Sequence, residues 1–326
     1  MNADELAAAA LTLARGFAAG GTLWVVAPRH PAHGHHVAVE FVHPVIVGKR
    51  ALPARCVDPV DLTALRGPVD MVLVIGEDGP DDPTVRIGAD DPIEWVLAYH
   101  LLWELTHVVF EHPGLLVDDL PPATSEPTGF LYPFIEGDER DASGLLADLA
   151  TSAQAKAAES RALRAATLAA CADQIDACAT ALRAGTRLFT FGNGGSAADA
   201  EAAAELFRPR PAVSLVADPA VLTALANDVG FELVFARQLI AYAAPGDVAM
   251  GFSTSGDSPN VLRALTEAKR GGLITVGFAG YDGGLMAAGG AVDHCFVVRS
   301  DSVHRIQEAQ AALVNEIWRT TSDDGS

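Results

Sequence analysis

The stretch Leu188-Phe189-Thr190-Phe191-Gly192-Asn193-Gly194-Gly195-Ser196, followed by the alanine-rich Ala197 to Phe207, decides the fold. Four residues of strand character run straight into a glycine-rich turn, and the segment behind it has helical composition. Working outwards, the same plan recurs. A strand at Val213 to Val216 ends at Asp218. Another, Val248 to Phe252, runs into Ser253-Thr254-Ser255-Gly256-Asp257-Ser258, and Pro259 then opens a helix as a good first residue. Strands at Leu273 to Phe278 and His294 to Val298 and a last helix from about His304 complete the series. Upstream, Leu145 to Arg183 has helical spacing and ends at Gly185. Strands alternating with helices predict a doubly wound parallel α/β sheet.

Two of its loops have the chemistry of a phosphate cradle. In Gly192 to Ser196, the glycines Gly194 and Gly195 let backbone N–H groups approach an anion at a helix N-terminus. The loop Ser253 to Ser258 offers several hydroxyls at a second such terminus. Both fall at carboxyl ends of parallel strands, where open α/β sheets bind ligands.

The bulk composition sets limits. The chain has 326 residues, which favours two domains, and half of them are apolar while 6% are aromatic. A net charge of −20 opposes nucleic acid and anionic membranes, so neither is expected as a direct partner. The four cysteines, Cys56, Cys171, Cys178 and Cys295, form no CxxC pair, and the acidic start lacks the basic region of a signal peptide. These features lead to the expectation of a cytoplasmic protein. Residues 117–145, with Pro121, Pro122, Pro127 and Pro133 and the acids from Glu136 to Asp141, read as a linker between a domain at 1–116 and one at 146–326.

The first half repeats the plan in worn form. Gly20 to Val26 matches Gly185 to Phe191, and Asp70 to Ile75 matches Asp247 to Phe252, at different offsets. A tandem duplication with one eroded copy accounts for both matches.

The segments GNGGSAADA, the pair Asn227-Asp228, STSGDSPN, GYDGG and HRIQEAQ together resemble the bacterial sedoheptulose-7-phosphate isomerases of the sugar isomerase (SIS) family. They also resemble that family's non-enzymatic relative, the initiator-associating proteins of bacterial replication. The resemblance covers nearly all of the second half. It implies a flavodoxin-like α/β/α unit in which Asn193, Ser196, Ser253, Thr254, Ser255 and Ser258 bind the phosphate of a sugar phosphate, with Asp218 and Gln307 near the sugar. The departures are as informative. In the isomerases the helix after GNGGS carries a histidine and, four residues on, the catalytic glutamate. Here those places fall on Ala202 and Leu206, or with a one-residue gap on Glu201 and Glu205. Asn315 stands where the isomerases have a second histidine.

The first half supplies what is missing. His36 and Glu40 are spaced i, i+4, which puts them on one helical face, and Tyr99 to Leu105 resembles the family's last helix with His100 at the catalytic histidine's place. Its own cradles are gone: Ala27-Pro28-Arg29-His30-Pro31 replaces one and the acidic Glu77 to Asp82 the other. On a helix, a glutamate nine or ten residues past the cradle lies about 14 Å along the axis. The reacting carbons of a heptose lie at most roughly 9 Å from its phosphorus. A cradle and a glutamate on one helix therefore serve different sites, as subunit-interface sites in this family imply.

The expectation is a pseudo-dimer of two SIS-type units. In it the second half holds a heptose 7-phosphate, and Glu40 and His100 of the first act as base and acid. Zinc held by His36, Glu40 and His100 is a possible cofactor, and a homodimer is the expected assembly. Two alternatives stand beside it. His36 also belongs to a histidine-rich surface run with His30, His33, His35 and His43, and His100 lies in an apolar run that suits a core histidine. A non-catalytic sugar-phosphate sensor or protein adaptor is the rival function.

Overall fold

The computed structural model describes residues 1–44, 48–88, 91–112, 116 and 142–323. It divides into two compact units, Met1–Arg161 and Ala162–Ser326. The proposed linker lies outside the described residues up to position 141. From there α5, Ala142–Ala170, runs as one helix, and the division between the units falls within it.

In the first unit, α1 (Ala3–Ala18) precedes β1 (Leu23–Val26), α2 (Pro31–Val42), β2 (Ala54–Cys56), α3 (Pro59–Leu65), β3 (Met71–Ile75), β4 (Val85–Ile87) and α4 (Pro92–Phe110). The strands form one parallel sheet in the order β2-β1-β3-β4. Helix α4 is apolar all round and correspondingly buried from Trp95 to Val109. Its buried carboxylate Glu104 lies 2.9 Å from Lys156 Nζ on α5.

In the second unit, α6 (Ala172–Ala184) leads to β5 (Leu188–Phe191), α7 (Gly195–Leu206), β6 (Ala212–Ser214), α8 (Pro219–Asp228) and α9 (Val234–Tyr242). Then come β7 (Val248–Ser253), α10 (Pro259–Arg270), β8 (Ile274–Gly280), α11 (Gly284–Ala288), β9 (His294–Val298) and α12 (Val303–Asp323). The sheet order is β6-β5-β7-β8-β9, all parallel. The chain leaves β5 for one neighbour and returns to the other, so the crevice between the ends of β5 and β7 is a topological switch point. Both glycine- and serine-rich loops open there.

Hydrophobic side chains pack on each face of this sheet. One cluster gathers Ile175, Leu182, Ala203, Leu313 and Ile317 over Leu188, Val248 and Phe278, and the other gathers Phe235, Leu239, Val261, Leu265 and Met286 over Phe189 and Ala249. This is the three-layer arrangement expected. Phe252, Phe278 and Phe296 are register partners on β7, β8 and β9. Their rings stack at 4.8 Å and 5.3 Å, a cross-strand ladder that fixes register as well as burying area.

The two sheets share more than order. Leu23 pairs with Met71 as Leu188 pairs with Val248, and the residue before each second strand is an aspartate. Asp70 accepts from the Thr22 amide at 2.7 Å, and Asp247 accepts from the corresponding Arg187 amide at 3.0 Å. Burial raises the Asp247 pKa. The Arg187 guanidinium, the Thr186 hydroxyl and the amides of Ala244 and Arg187 more than offset this and take it from 3.8 to about 2. Because the folded value lies below the unfolded one, the carboxylate stabilises the fold above that interval and loses its effect as pH falls through it. Asp247→Asn should therefore cost the second unit about 2 kcal/mol at pH 7. In acid titrations followed by circular dichroism, the gap from wild type should close as the pH falls towards 2.

Some elements differ from the sequence reading. The helix predicted from Leu145 to Arg183 is two helices, interrupted at Cys171. Gly185 ends the second in an extended conformation (φ −74°, ψ 156°), not the left-handed one usual for a glycine cap. The short strands β2 and β4 were not anticipated.

Candidate functional site

In the second unit β5 delivers Gly192 and Asn193 to the start of α7. Gly194 caps that helix at φ 57° and ψ −126°, and no side chain bonds its first-turn amides. Ser258 precedes α10 in the same way, without a side-chain cap. The start of α7 thus offers open amides at the switch point, the arrangement that attracts an anion, whereas at α10 Pro259 has no N–H and the Ser258 amide reaches Ser253 Oγ.

The serine loop is internally wired. Ser253 is buried, and its Oγ lies 2.8 Å from Ser258 Oγ and 3.4 Å from Ser255 Oγ. Ser255 Oγ accepts from the Asp257 amide at 3.1 Å. Ser255 is itself exposed, while Thr254 and Ser258 are half-buried. A third loop, Gly280 to Gly284, clasps this one. The Gly280 amide donates to Thr254 O at 2.8 Å, and Asp257 Oδ1 accepts from the Leu285 amide at 2.8 Å. Within it, Tyr281 takes φ 52°, a left-handed value unusual for a side chain of that size.

Asn193 does something its motif did not foretell. Its amide and that of Asn260, on the first turn of α10, donate to each other at 2.9 Å and 2.8 Å. Asn260 is 2% exposed, and its Oδ1 also accepts from the Val261 amide at 3.0 Å. This reciprocal clasp binds the glycine loop to the serine loop. Asn260→Leu should leave the Asn193 amide short of partners and cost about 1–3 kcal/mol. It should also weaken protection of the second unit by inorganic phosphate in thermal melts. An unchanged phosphate response would show that the clasp does not shape the cradle.

Other expected site residues are spread along the same unit. Ser196 is buried on the first turn of α7. Asp218 caps α8, accepting from Ala220 and Val221 amides. Asn227 donates to Asp228 at 2.7 Å, and both are exposed. Gln307, on α12, is buried and donates to Asp199 Oδ2 on α7 at 3.0 Å. Asp199 and Asn260 escaped sequence reasoning. Asn315, half-buried on α12, donates to the Ala311 carbonyl of its own helix, and an amide there is neither acid nor base.

The first unit holds a different kind of site. Helix α2 places His36 and Glu40 one turn apart, and α4 brings His100 against them. All three are buried, at 2%, 2% and 0% exposure. His36 Nε2 lies 3.4 Å from His100 Nε2 and 3.7 Å from Glu40 Oε1. One ligand atom from each of the three lies within 4.8 Å of the others. Zinc–ligand bonds of about 2.0–2.2 Å in a tetrahedron give ligand–ligand edges of about 3.3–3.6 Å. The donor set suits zinc, and the His36–His100 and His36–Glu40 separations lie close to such edges.

Around this cluster Tyr99 Oη lies 2.9 Å from His36 Nδ1, and Trp103 Nε1 donates to the Glu40 carbonyl at 2.7 Å. The histidine run is thus divided. His36 faces inward, His35 is exposed, and His30 and His33 stack edge-on with Trp95 at 4.7 Å and 5.4 Å. Desolvation, then the neighbouring imidazoles of His36 and His30, pushes His33 down to about 3, so it is neutral at physiological pH. The degenerate loops of this unit meet through an Arg29–Asp78 ion pair, which joins the ends of β1 and β3.

A family model described as the SIS domain matches residues 152–280. The chain is 48% identical over 143 residues to a phosphoheptose isomerase of Aquifex aeolicus, an alignment covering 41% of this chain and 74% of that protein. It is 43% identical over 177 residues to a phosphoheptose isomerase of a Bradyrhizobium species, covering 52% of this chain and 88% of the other. Among solved structures, the C-terminal domain of glucosamine-fructose-6-phosphate aminotransferase from Francisella tularensis is similar over 98% of this chain and 94% of its own. Its TM-score is 0.55 at 10% sequence identity, a likeness of fold alone. No described helix is long and apolar enough to cross a membrane.

Proposed function

The chain belongs to the phosphoheptose isomerase family of SIS-domain proteins, and from that premise we propose that it is an aldose–ketose isomerase acting on a sugar phosphate of the sedoheptulose 7-phosphate class. The second unit holds the phosphate and the first supplies the acid–base groups, in a chain that arose by tandem duplication. The observation that carries this reading is the convergence of His36, Glu40 and His100 in the unit whose phosphate loops are degenerate. By resemblance, the isomerases' acid–base pair falls in the unit with intact loops on Ala202 and Leu206, or with a one-residue gap on Glu201 and Glu205, without its histidine in either case.

The second unit's open amides and the hydroxyls of Ser196, Ser253, Thr254, Ser255 and Ser258 bind the phosphate oxygens. Asn193, Gly194 and Gly195 shape that cradle, and Asp218, Asn227, Asp228 and Gln307 stand for the sugar end. Glu40, as carboxylate, takes a proton from C1 of the ketose, leaving a cis-enediol, and returns it to C2. His100 moves the matching proton between the two oxygens, so the ketone oxygen becomes a hydroxyl as the C1 hydroxyl becomes an aldehyde. The residues that would hold zinc are His36, Glu40 and His100, and the ion would polarise the carbonyl. A carboxylate has two oxygens, so one can face a cation while the other carries the proton. The expected assembly is a homodimer.

One observation favours the rival, a sugar-phosphate sensor without catalysis: within the second unit, Asn315 is an amide bonded to its own helix where the isomerases have a histidine. Incubation with sedoheptulose 7-phosphate separates the two. Appearance of the aldose supports the enzyme. Thermal stabilisation by the sugar phosphate with no turnover supports the sensor.

A further inference from the structure

The cluster in the first unit depends on the orientation of one imidazole. His36 presents Nε2 to His100 and Glu40, at 3.4 Å and 3.7 Å, because its other nitrogen, Nδ1, is engaged by Tyr99 Oη at 2.9 Å. Tyr99 is 1% exposed, so its hydroxyl has no recourse to bulk water. Its ring also packs against both histidines, 5.1 Å from His36 and 5.0 Å from His100, edge-on to the latter at 87°. The phenol therefore sits against the two imidazoles of the set and fixes the hydrogen bonding of one.

A hydroxyl differs from a carbonyl or a carboxylate in being able to donate or accept. When a cation occupies His36 Nε2, the proton must be on Nδ1, and Nδ1–H donates to Tyr99 Oη. When Nε2 carries the proton, Tyr99 O–H donates to Nδ1. The same contact serves both states without moving a heavy atom. A backbone carbonyl in that place would hold only the first.

We propose that Tyr99 is a positioning residue for His36, setting the affinity of the His36–Glu40–His100 cluster for a divalent transition-metal cation. The proposal rests on the zinc-competent reading of that cluster and goes beyond it in assigning a residue with no counterpart among the expected ligands. Partners of this kind orient metal-bound histidines, and their loss weakens metal binding about 10- to 100-fold.

The test uses the full chain as wild type, Tyr99→Phe and His36→Ala, each stripped of metal. Zinc affinity is read by competition with a chromophoric chelator, and Co2+ is titrated for its visible ligand-field bands. Wild type should bind one equivalent of each, and His36→Ala should bind neither tightly. Tyr99→Phe should bind zinc about 10- to 100-fold more weakly, with altered Co2+ bands and a metal-free melting temperature near wild type. If Tyr99→Phe lowers the metal-free melting temperature but leaves affinity and Co2+ bands unchanged, Tyr99 is only a packing residue and the proposal falls. If wild type and His36→Ala take up Co2+ alike, the zinc-competent reading falls, and Tyr99's role with it.

Discussion

Glu40→Gln should lower turnover of sedoheptulose 7-phosphate by about 10^2- to 10^4-fold, the range for losing a positioned general base. The substitution keeps the shape of a side chain that is 2% exposed on α2 and removes the group able to carry a proton from C1 to C2. The effect belongs in kcat. The phosphate loops lie in the second unit, so protection of that unit by the sugar phosphate in thermal melts should be unchanged. A wild-type kcat in the variant would remove Glu40 from the chemistry. Loss of sugar-phosphate protection instead would make it a structural residue.

The second large effect is expected from Gly256→Ala. Gly256 has φ 72°, and a Cβ there would come within 2.2 Å of Gly283 O and 2.6 Å of Gly283 C, both backbone atoms of the clasping loop. A left-handed alanine costs about 1–2 kcal/mol before any clash is counted. The clash cannot be relieved by rotating a side chain, so the serine loop and the Gly280 to Gly284 loop must separate. The bond from Met286 N, on the α11 helix that follows, to Gly256 O, 2.9 Å long, goes with them. Sugar-phosphate and inorganic-phosphate affinity should both fall at least 10-fold, while zinc uptake by the first unit stays at its wild-type level. Retained phosphate affinity would place the anion elsewhere.

The parts of this molecule that could be read from sequence are those whose signal is local. Leu188 to Ser196 declares strand, turn and helix start within nine residues, and the structure has all three. His36 and Glu40 declare a shared face because four residues make about one helical turn. His100 was placed by resemblance, and only the packing of α4 on α2 shows it meeting the other two. Tyr99, Asn260 and Asp199 carried no comparable signal. Their partners His36, Asn193 and Gln307 lie 63, 67 and 108 residues away in the chain, so each contact exists only once the sheet is wound. The strands β2 and β4 were missed for the opposite reason. Three residues each, at the edges of the sheet, they are too short to show a period. Likewise, alanine-rich composition marked the helix through Cys171 but gave no cue to the break there.

The pairing of two unlike units in one activity is tested most directly by steady-state conversion of sedoheptulose 7-phosphate to its aldose, comparing wild type with Ser255→Ala in the second unit and Glu40→Gln in the first. Wild type should turn over, Ser255→Ala should raise KM at least 10-fold with kcat less affected, and Glu40→Gln should lose kcat with KM nearly unchanged. Wild-type kinetics in both variants, or no aldose from wild type with and without zinc, would contradict an isomerase built from complementary units.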